Sequence, residues 1–182
     1  MTALLHSDPT TVRVRALERV TTVGTVVALS TIGAAIHLYV APEHLAEWWA
    51  YGWFFLLLAA GQLATVPLVL RWRRPALLSM AIAVNVGAVL VWLVSRTSGL
   101  PIGPPVLDMT GGLADPTKGG YGAHALGVPE PVGELDVTAT VCELLVVLAL
   151  CALLPATWRR WAVNTVLVVG LSMWCLFILG VL

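Results

Sequence analysis

Long runs of apolar residues dominate the chain, and short polar segments separate them. Five of these runs are long enough to cross a bilayer, since a helical span needs about 20 residues. In hydrocarbon the backbone must satisfy its own hydrogen bonds, so each run is predicted to be an α-helix. The predicted spans are residues 20–41, 51–70, 76–97, 135–154 and 162–181. The pattern therefore predicts an all-α bundle of five transmembrane helices, with residues 1–182 forming a single membrane domain.

The connections between the spans are short, with one exception. Residues 98–133 are dense in glycine and proline, which is typical of a long loop without regular helix or strand. At the start of the chain, Asp8 and Pro9 have the character of a helix cap and a first helical residue, so the first span is predicted to belong to a longer helix. We expect Pro42 to end that helix near the membrane surface.

Composition supports the membrane assignment. The 182 residues are 59% hydrophobic and 11% charged, and the mean hydropathy is +0.91. A soluble domain of this size lacks the polar surface to cover so much apolar material. The three cysteines lie inside predicted spans and are odd in number, so the chain has no disulfide framework. We therefore expect a multi-pass protein in a lipid bilayer, without a nucleic-acid partner.

The charges are segregated between the two sides of the predicted bundle. Eight of the ten acids lie on the side that holds residues 42–49 and the long loop, where Arg96 and Lys118 are the cations, and Asp8 and Glu18 lie on the other side. The other side carries eight arginines: Arg13, Arg15, Arg19, Arg71, Arg73, Arg74, Arg159 and Arg160. Because cytoplasmic segments are rich in arginine and lysine, we predict a plasma-membrane protein with its N-terminus in the cytoplasm and its C-terminus outside.

Ionisable residues also occur inside the predicted spans, near the outer side. Asp136, Thr140 and Glu143 share one face of the fourth helix, and Glu143 lies roughly 10 Å deeper than Asp136. An acid inside a span is costly and is expected to face the bundle interior with a partner. Arg96, at the outer end of the third span, is the predicted partner of Asp136 or Glu143.

The segment "IHLYVAPEHLAEWW" places histidines and acids above this region. At helical spacing, Glu47 would lie beside Glu43 and His44, and His37 would lie about one turn below the surface. Neutral imidazole with carboxylates suits zinc, copper(II) or iron. We therefore predict an outward-facing site that binds a divalent transition metal cation. Its candidate ligands are His37, His44, Glu43, Glu47, Asp136 and Glu143.

Other functions are compatible with the same residues. A proton or ion pathway would use Arg96, Glu143, Gln62 and Asn85, because intramembrane polar groups often mark such paths. An ion pair of Arg96 that only orients the helices would equally offset the cost of placing charged groups inside the membrane. The chain would then act as a non-catalytic interaction subunit, either in a homo-oligomer or in a larger membrane complex. An enzyme is also compatible, since a metal near carboxylates activates water or oxygen, but no motif indicates a substrate.

Four segments carry a resemblance to a known group of proteins. They are "HLYVAPEHLAEW", the glutamine of the second span, "WLVSRTSGLPIGP" and "VGELDVTATVCE". Together they resemble an uncharacterised actinobacterial multi-span membrane protein family with PEHxxEW and SRTxGLPxGP segments. The resemblance covers about residues 20–150 and implies the membrane class, but no activity.

Overall fold

The fold is a bundle of long helices. The computed structural model describes residues 9–100, 102 and 129–180, and these residues form helices without a strand. The helices are α1 (Pro9–Glu47), α2 (Trp49–Pro67), α3 (Pro75–Thr97), α4 (Glu134–Leu153) and α5 (Ala156–Ile178), and a π-helical turn, Leu68–Trp72, extends α2. All five helices are long and apolar enough to cross a membrane. The predicted all-α membrane bundle is therefore confirmed.

The first helix differs from its predicted limits. It begins at Pro9, and Asp8, its predicted cap, lies outside the described residues. It also continues through Pro42 to Glu47, so the prediction that Pro42 ends the helix is wrong. Proline has no N–H and removes one bond to the carbonyl four residues earlier, but the rest of the helix remains bonded on both sides.

A very short connection joins α1 and α2. Only Trp48, with extended backbone angles, separates the two helices. Gly52 packs against Leu45 so closely that a Cβ at position 52 would lie 2.7 Å from the Leu45 Cα. Glycine is therefore required for this close approach. We call the end of the bundle that contains this connection the turn end, and the other the opposite end.

The interior changes character along the bundle. α1 packs against α2 and α4, and α3 packs against α4. Toward the opposite end the interior is filled by an apolar cluster that includes Val26, Val69, Leu78, Val146 and Leu150. Toward the turn end the buried residues include ionisable and amide side chains. The functional site is therefore expected in the turn half of the bundle.

The last helix lies at the periphery. None of the residues of α5 is buried, and large apolar side chains such as Leu171 and Trp174 are well exposed. Such a surface suits contact with lipid chains. The described helices thus fit a multi-pass protein in a lipid bilayer.

Candidate functional site

A histidine, a glutamate and a glutamine meet in the turn half of the bundle. A hydrogen bond joins Nε2 of His37 on α1 to Oε1 of Glu143 on α4, at 3.0 Å. Nε2 of Gln62 on α2 donates to the same oxygen, at 3.2 Å. All three side chains are buried. Three helices are therefore connected at a single carboxylate oxygen.

Local packing explains how Gln62 reaches this position. Gly33 lies on α1, one helical turn before His37, and faces Gln62. A Cβ at position 33 would lie only 2.9 Å from Oε1 of Gln62. The small residue on α1 therefore makes room for the amide that holds Glu143.

Arg96 forms a second cluster, closer to the turn end. Its guanidinium donates to Oε2 of Glu130 at 2.6 Å and to Oδ2 of Asp136 at 2.8 Å. Asp136 also accepts the backbone N–H of Gly133 at 2.9 Å and so caps the start of α4. The predicted partnership of Arg96 with Asp136 is present, and the bonds from Arg96 do not go to Glu143. Glu130 was missed, since nothing in its spacing relates it to Arg96.

His44 forms a separate pair. Its Nδ1 lies 3.0 Å from Oε2 of Glu47, as the spacing of three residues within a helix predicts. The ring of Phe55 stacks on His44 at a centroid distance of 4.4 Å and lies 5.7 Å from the ring of His37. The two histidines thus contact the same aromatic ring but pair with different carboxylates. Glu43, the remaining acid of this segment, is exposed.

These groups border a cavity of about 90 Å³ between the helices. Its polar lining includes His37, Glu143, Arg96, Glu130, Asp136 and His44. Its aromatic lining consists of Tyr51, Phe54, Phe55 and Trp92, none of which the sequence singled out as site residues. The hydroxyl of Tyr51 donates to the carbonyl of Ile102 at 2.7 Å, which ties a residue five positions beyond the end of α3 to the cavity wall. The cavity is therefore both aromatic and charged.

A metal site needs several ligand side chains close together, and suitable residue types alone do not provide it. Among residues 9–100, 102 and 129–180, no three or more His, Cys, Asp or Glu side chains are grouped closely enough to hold a metal ion. His37 and Glu143 form one pair, and His44 and Glu47 another. The metal site stays a prediction, with the His37–Glu143 pair as its nearest structural counterpart.

The polar groups proposed for a pathway are only partly connected. Gln62 is bonded to Glu143, but the amide nitrogen of Asn85 donates to the carbonyl of Ala81 in its own helix, at 2.8 Å. Asn85 is buried. It lies one helical turn closer to the opposite end than Ala88, which lines the cavity. Beyond Asn85, the interior becomes the apolar cluster. The polar region therefore stops within the bundle.

The fold and the cavity define a small multi-pass membrane protein with a polar site in one half of the bundle. Comparisons with models of protein families, with curated proteins and with solved structures found no match. The resemblance to the actinobacterial family therefore stays a prediction.

Proposed function

We propose that the protein binds a small cation in the cavity, with Glu143 as the counter-charge and His37 beside it. The observation that carries this proposal is the environment of Glu143. This acid is 3% exposed and lies within a transmembrane helix, and among the described residues it is bonded only through Oε1, by His37 and Gln62. Arg96, the arginine of the cavity lining, is bonded to other acids. An intramembrane acid without an arginine or lysine partner is a natural site for a cationic ligand.

The charges around the cavity support a cation rather than an anion. The lining contains three acids, Glu130, Asp136 and Glu143, and one arginine, Arg96. Acidic side chains therefore outnumber the arginine in the described lining. A cleft with low-dielectric walls concentrates the electric field of its charged groups and attracts ions of the opposite charge.

The shape of the interior favours binding over conduction. The cavity occupies the turn half of the bundle, and the apolar cluster around Val26, Leu78 and Leu150 fills the other half. A polar path across the membrane would need polar groups or water through that half. The charge pattern predicts that the cavity opens to the outside, so the ligand would arrive from there.

A transition metal ion is the first cation to test. Imidazole nitrogen and carboxylate oxygen suit zinc, copper(II) and iron, and His37 also has a buried Nδ1 without a partner in the described structure. Two protein ligands would have to be supplemented, for example by water molecules.

The proposal is tested by titrating purified full-length protein in lipid nanodiscs with zinc and with alkylammonium ions, using calorimetry. Glu143→Gln keeps the shape of the side chain but removes its charge, and we expect it to weaken binding by more than about tenfold. Glu18→Gln, on an exposed site of α1, is the matched control and should bind like the wild type. The proposal is wrong if the wild type binds neither kind of cation, or if folded Glu143→Gln binds both equally well.

A second candidate is a non-catalytic subunit of a larger membrane complex. It is favoured by α5, which has no buried residue and exposes large apolar side chains such as Leu171 and Trp174 to a possible partner. Native mass spectrometry of protein extracted in mild detergent would test this. A reproducible complex that is lost when Leu171 and Trp174 are replaced by serine would support it, and a monomer in all conditions would contradict it.

A further inference from the structure

The aromatic side of the cavity indicates what kind of cation fits. Rings from Tyr51, Phe54, Phe55 and Trp92 line it together with the carboxylates. Aromatic faces attract cations, and they are the usual recognition surface for organic ammonium groups. A cavity lined by both carboxylates and aromatic rings therefore suits an amine.

Two hydrogen-bond donors of the cavity lining have no acceptor among the described residues. The indole Nε1 of Trp92 and the Nε of Arg96 are buried and have no hydrogen-bond partner in the described structure. The two residues are four apart on α3 and share one face of the helix. Both atoms can only donate, so their natural partner is an oxygen acceptor. A ligand oxygen near this face would satisfy them.

The charge near these donors indicates that the oxygen is uncharged. Arg96 is already bonded to Glu130 and Asp136, so these three described side chains together contribute two acids and one cation. A carboxylate on the ligand would meet those two acids at short range. A hydroxyl or carbonyl oxygen accepts the same hydrogen bonds without the repulsion.

The spacing of these groups suits a small molecule. The Arg96–Asp136 bond aligns α3 with the antiparallel α4. Trp92 lies four residues, about 6 Å, farther from the turn end than Arg96. Glu143 lies seven residues, about 10 Å, farther from the turn end than Asp136. Trp92 and Glu143 therefore differ in depth by roughly 4 to 5 Å. A ligand of a few heavy atoms spans this difference and suits a cavity of about 90 Å³.

From these observations we infer that the ligand class is a compact organic amine with an uncharged oxygen. The ammonium group lies at Glu143, between the aromatic rings, and the oxygen accepts hydrogen bonds from Trp92 and Arg96. This inference rests on the proposed function and specifies which cation the site selects.

Three probes of similar size test the inference: ethanolamine, propylamine, which has a methyl group in place of the hydroxyl, and glycine, which has a carboxylate. Each is titrated calorimetrically into the full-length protein in lipid nanodiscs. We expect ethanolamine to bind at least about fivefold more tightly than propylamine, because only ethanolamine offers an acceptor to the buried donors. Glycine should bind more weakly than ethanolamine, because its carboxylate lies near Glu130 and Asp136.

Trp92→Phe provides the decisive comparison, because it keeps an aromatic ring but removes the indole N–H. We expect it to abolish most of the preference for ethanolamine over propylamine and to change propylamine affinity by less than about twofold. Trp53→Phe is the matched control. Trp53 is 54% exposed and does not line the cavity, so this variant should keep the full preference.

The outcomes separate this inference from the function on which it rests. If the two amines bind equally, or if Trp92→Phe keeps the preference for ethanolamine, the inference is wrong and cation binding stands. If zinc binds and no amine does, the inference is also wrong. If neither zinc nor any amine binds, the proposed function itself fails.

Discussion

At the scale of single residues, Glu143 is the point where three helices meet. Its Oε1 interacts with His37 from α1 and with Gln62 from α2, while Glu143 itself belongs to α4. Removing one member leaves a buried polar group without its partner, which costs more than the bond contributes on its own. The His37–Glu143 pair should therefore contribute to the stability of the bundle as well as to the site.

A double-mutant cycle measures this contribution. Single and double replacements of His37 and Glu143 by leucine should give a coupling free energy of about 1 to 2 kcal/mol. The corresponding cycle of Arg96→Gln with Glu143→Gln should give less than about 0.5 kcal/mol, since these residues have no shared bond. Free energies of unfolding are measured by SDS titration in mixed micelles. Coupling of equal size in the two cycles would contradict the observed pairing.

The residue scale also shows what the sequence predicts and what it does not. Spacing along α4 predicted that Asp136, Thr140 and Glu143 share a face, and all three line the cavity. Spacing within one helix contains no information about its neighbours. His37 and Glu143 are 106 positions apart, and their contact depends on how α1 is rotated against α4. The depth of each group was therefore predictable, whereas the partners were predicted only for Arg96, with Asp136 as one of two alternatives.

At the scale of elements, the connection between α1 and α2 positions the aromatic wall. Trp48 alone joins the helices, and Gly52 lies against the backbone of Leu45. Tyr51 and Phe55, on either side of Gly52, both line the cavity. The close approach of the two helices therefore determines where these rings lie.

Gly52→Ala should consequently damage both stability and binding. The added Cβ would lie 2.7 Å from the Leu45 Cα, and a backbone atom cannot move aside as a side chain can. We expect a loss of about 1 to 3 kcal/mol in the free energy of unfolding, together with weaker cation binding. Gly87→Ala is the control, because nothing lies within 4 Å of its Cβ position, and it should be neutral or slightly stabilising. Equal effects of the two substitutions would show that the close approach is unimportant.

The elements themselves were largely predictable, because hydropathy directly reports burial in a bilayer. α3 and α4 begin and end within one residue of the predicted spans 76–97 and 135–154. The π-helical turn Leu68–Trp72 was not predicted, since an apolar run has the same composition in either kind of helix. The continuation of α1 through Pro42 was missed because one lost hydrogen bond does not outweigh the bonded residues around it.

At the scale of the whole molecule, charge and polarity are arranged along the same axis. The cavity lies in the turn half of the bundle, and the apolar cluster lies in the opposite half. Arginines adjoin that opposite half, at 71, 73 and 74 between α2 and α3 and at 159 and 160 near the start of α5. If these arginines are cytoplasmic, the cavity opens to the outside.

Labelling with a membrane-impermeant thiol reagent tests this orientation. Cysteines are introduced singly at Val132, an exposed residue near the turn end, and at Ala156, an exposed residue at the start of α5. Both variants carry Cys175→Ser, because Cys175 is the exposed native thiol, whereas Cys142 and Cys151 are buried. In intact cells we expect only the cysteine at position 132 to react, and in permeabilised cells we expect both to react. Reaction of position 156 alone in intact cells would reverse the orientation. The cavity would then face the cytoplasm, and its cation would come from inside the cell, although the chemistry of Glu143 and His37 would be the same.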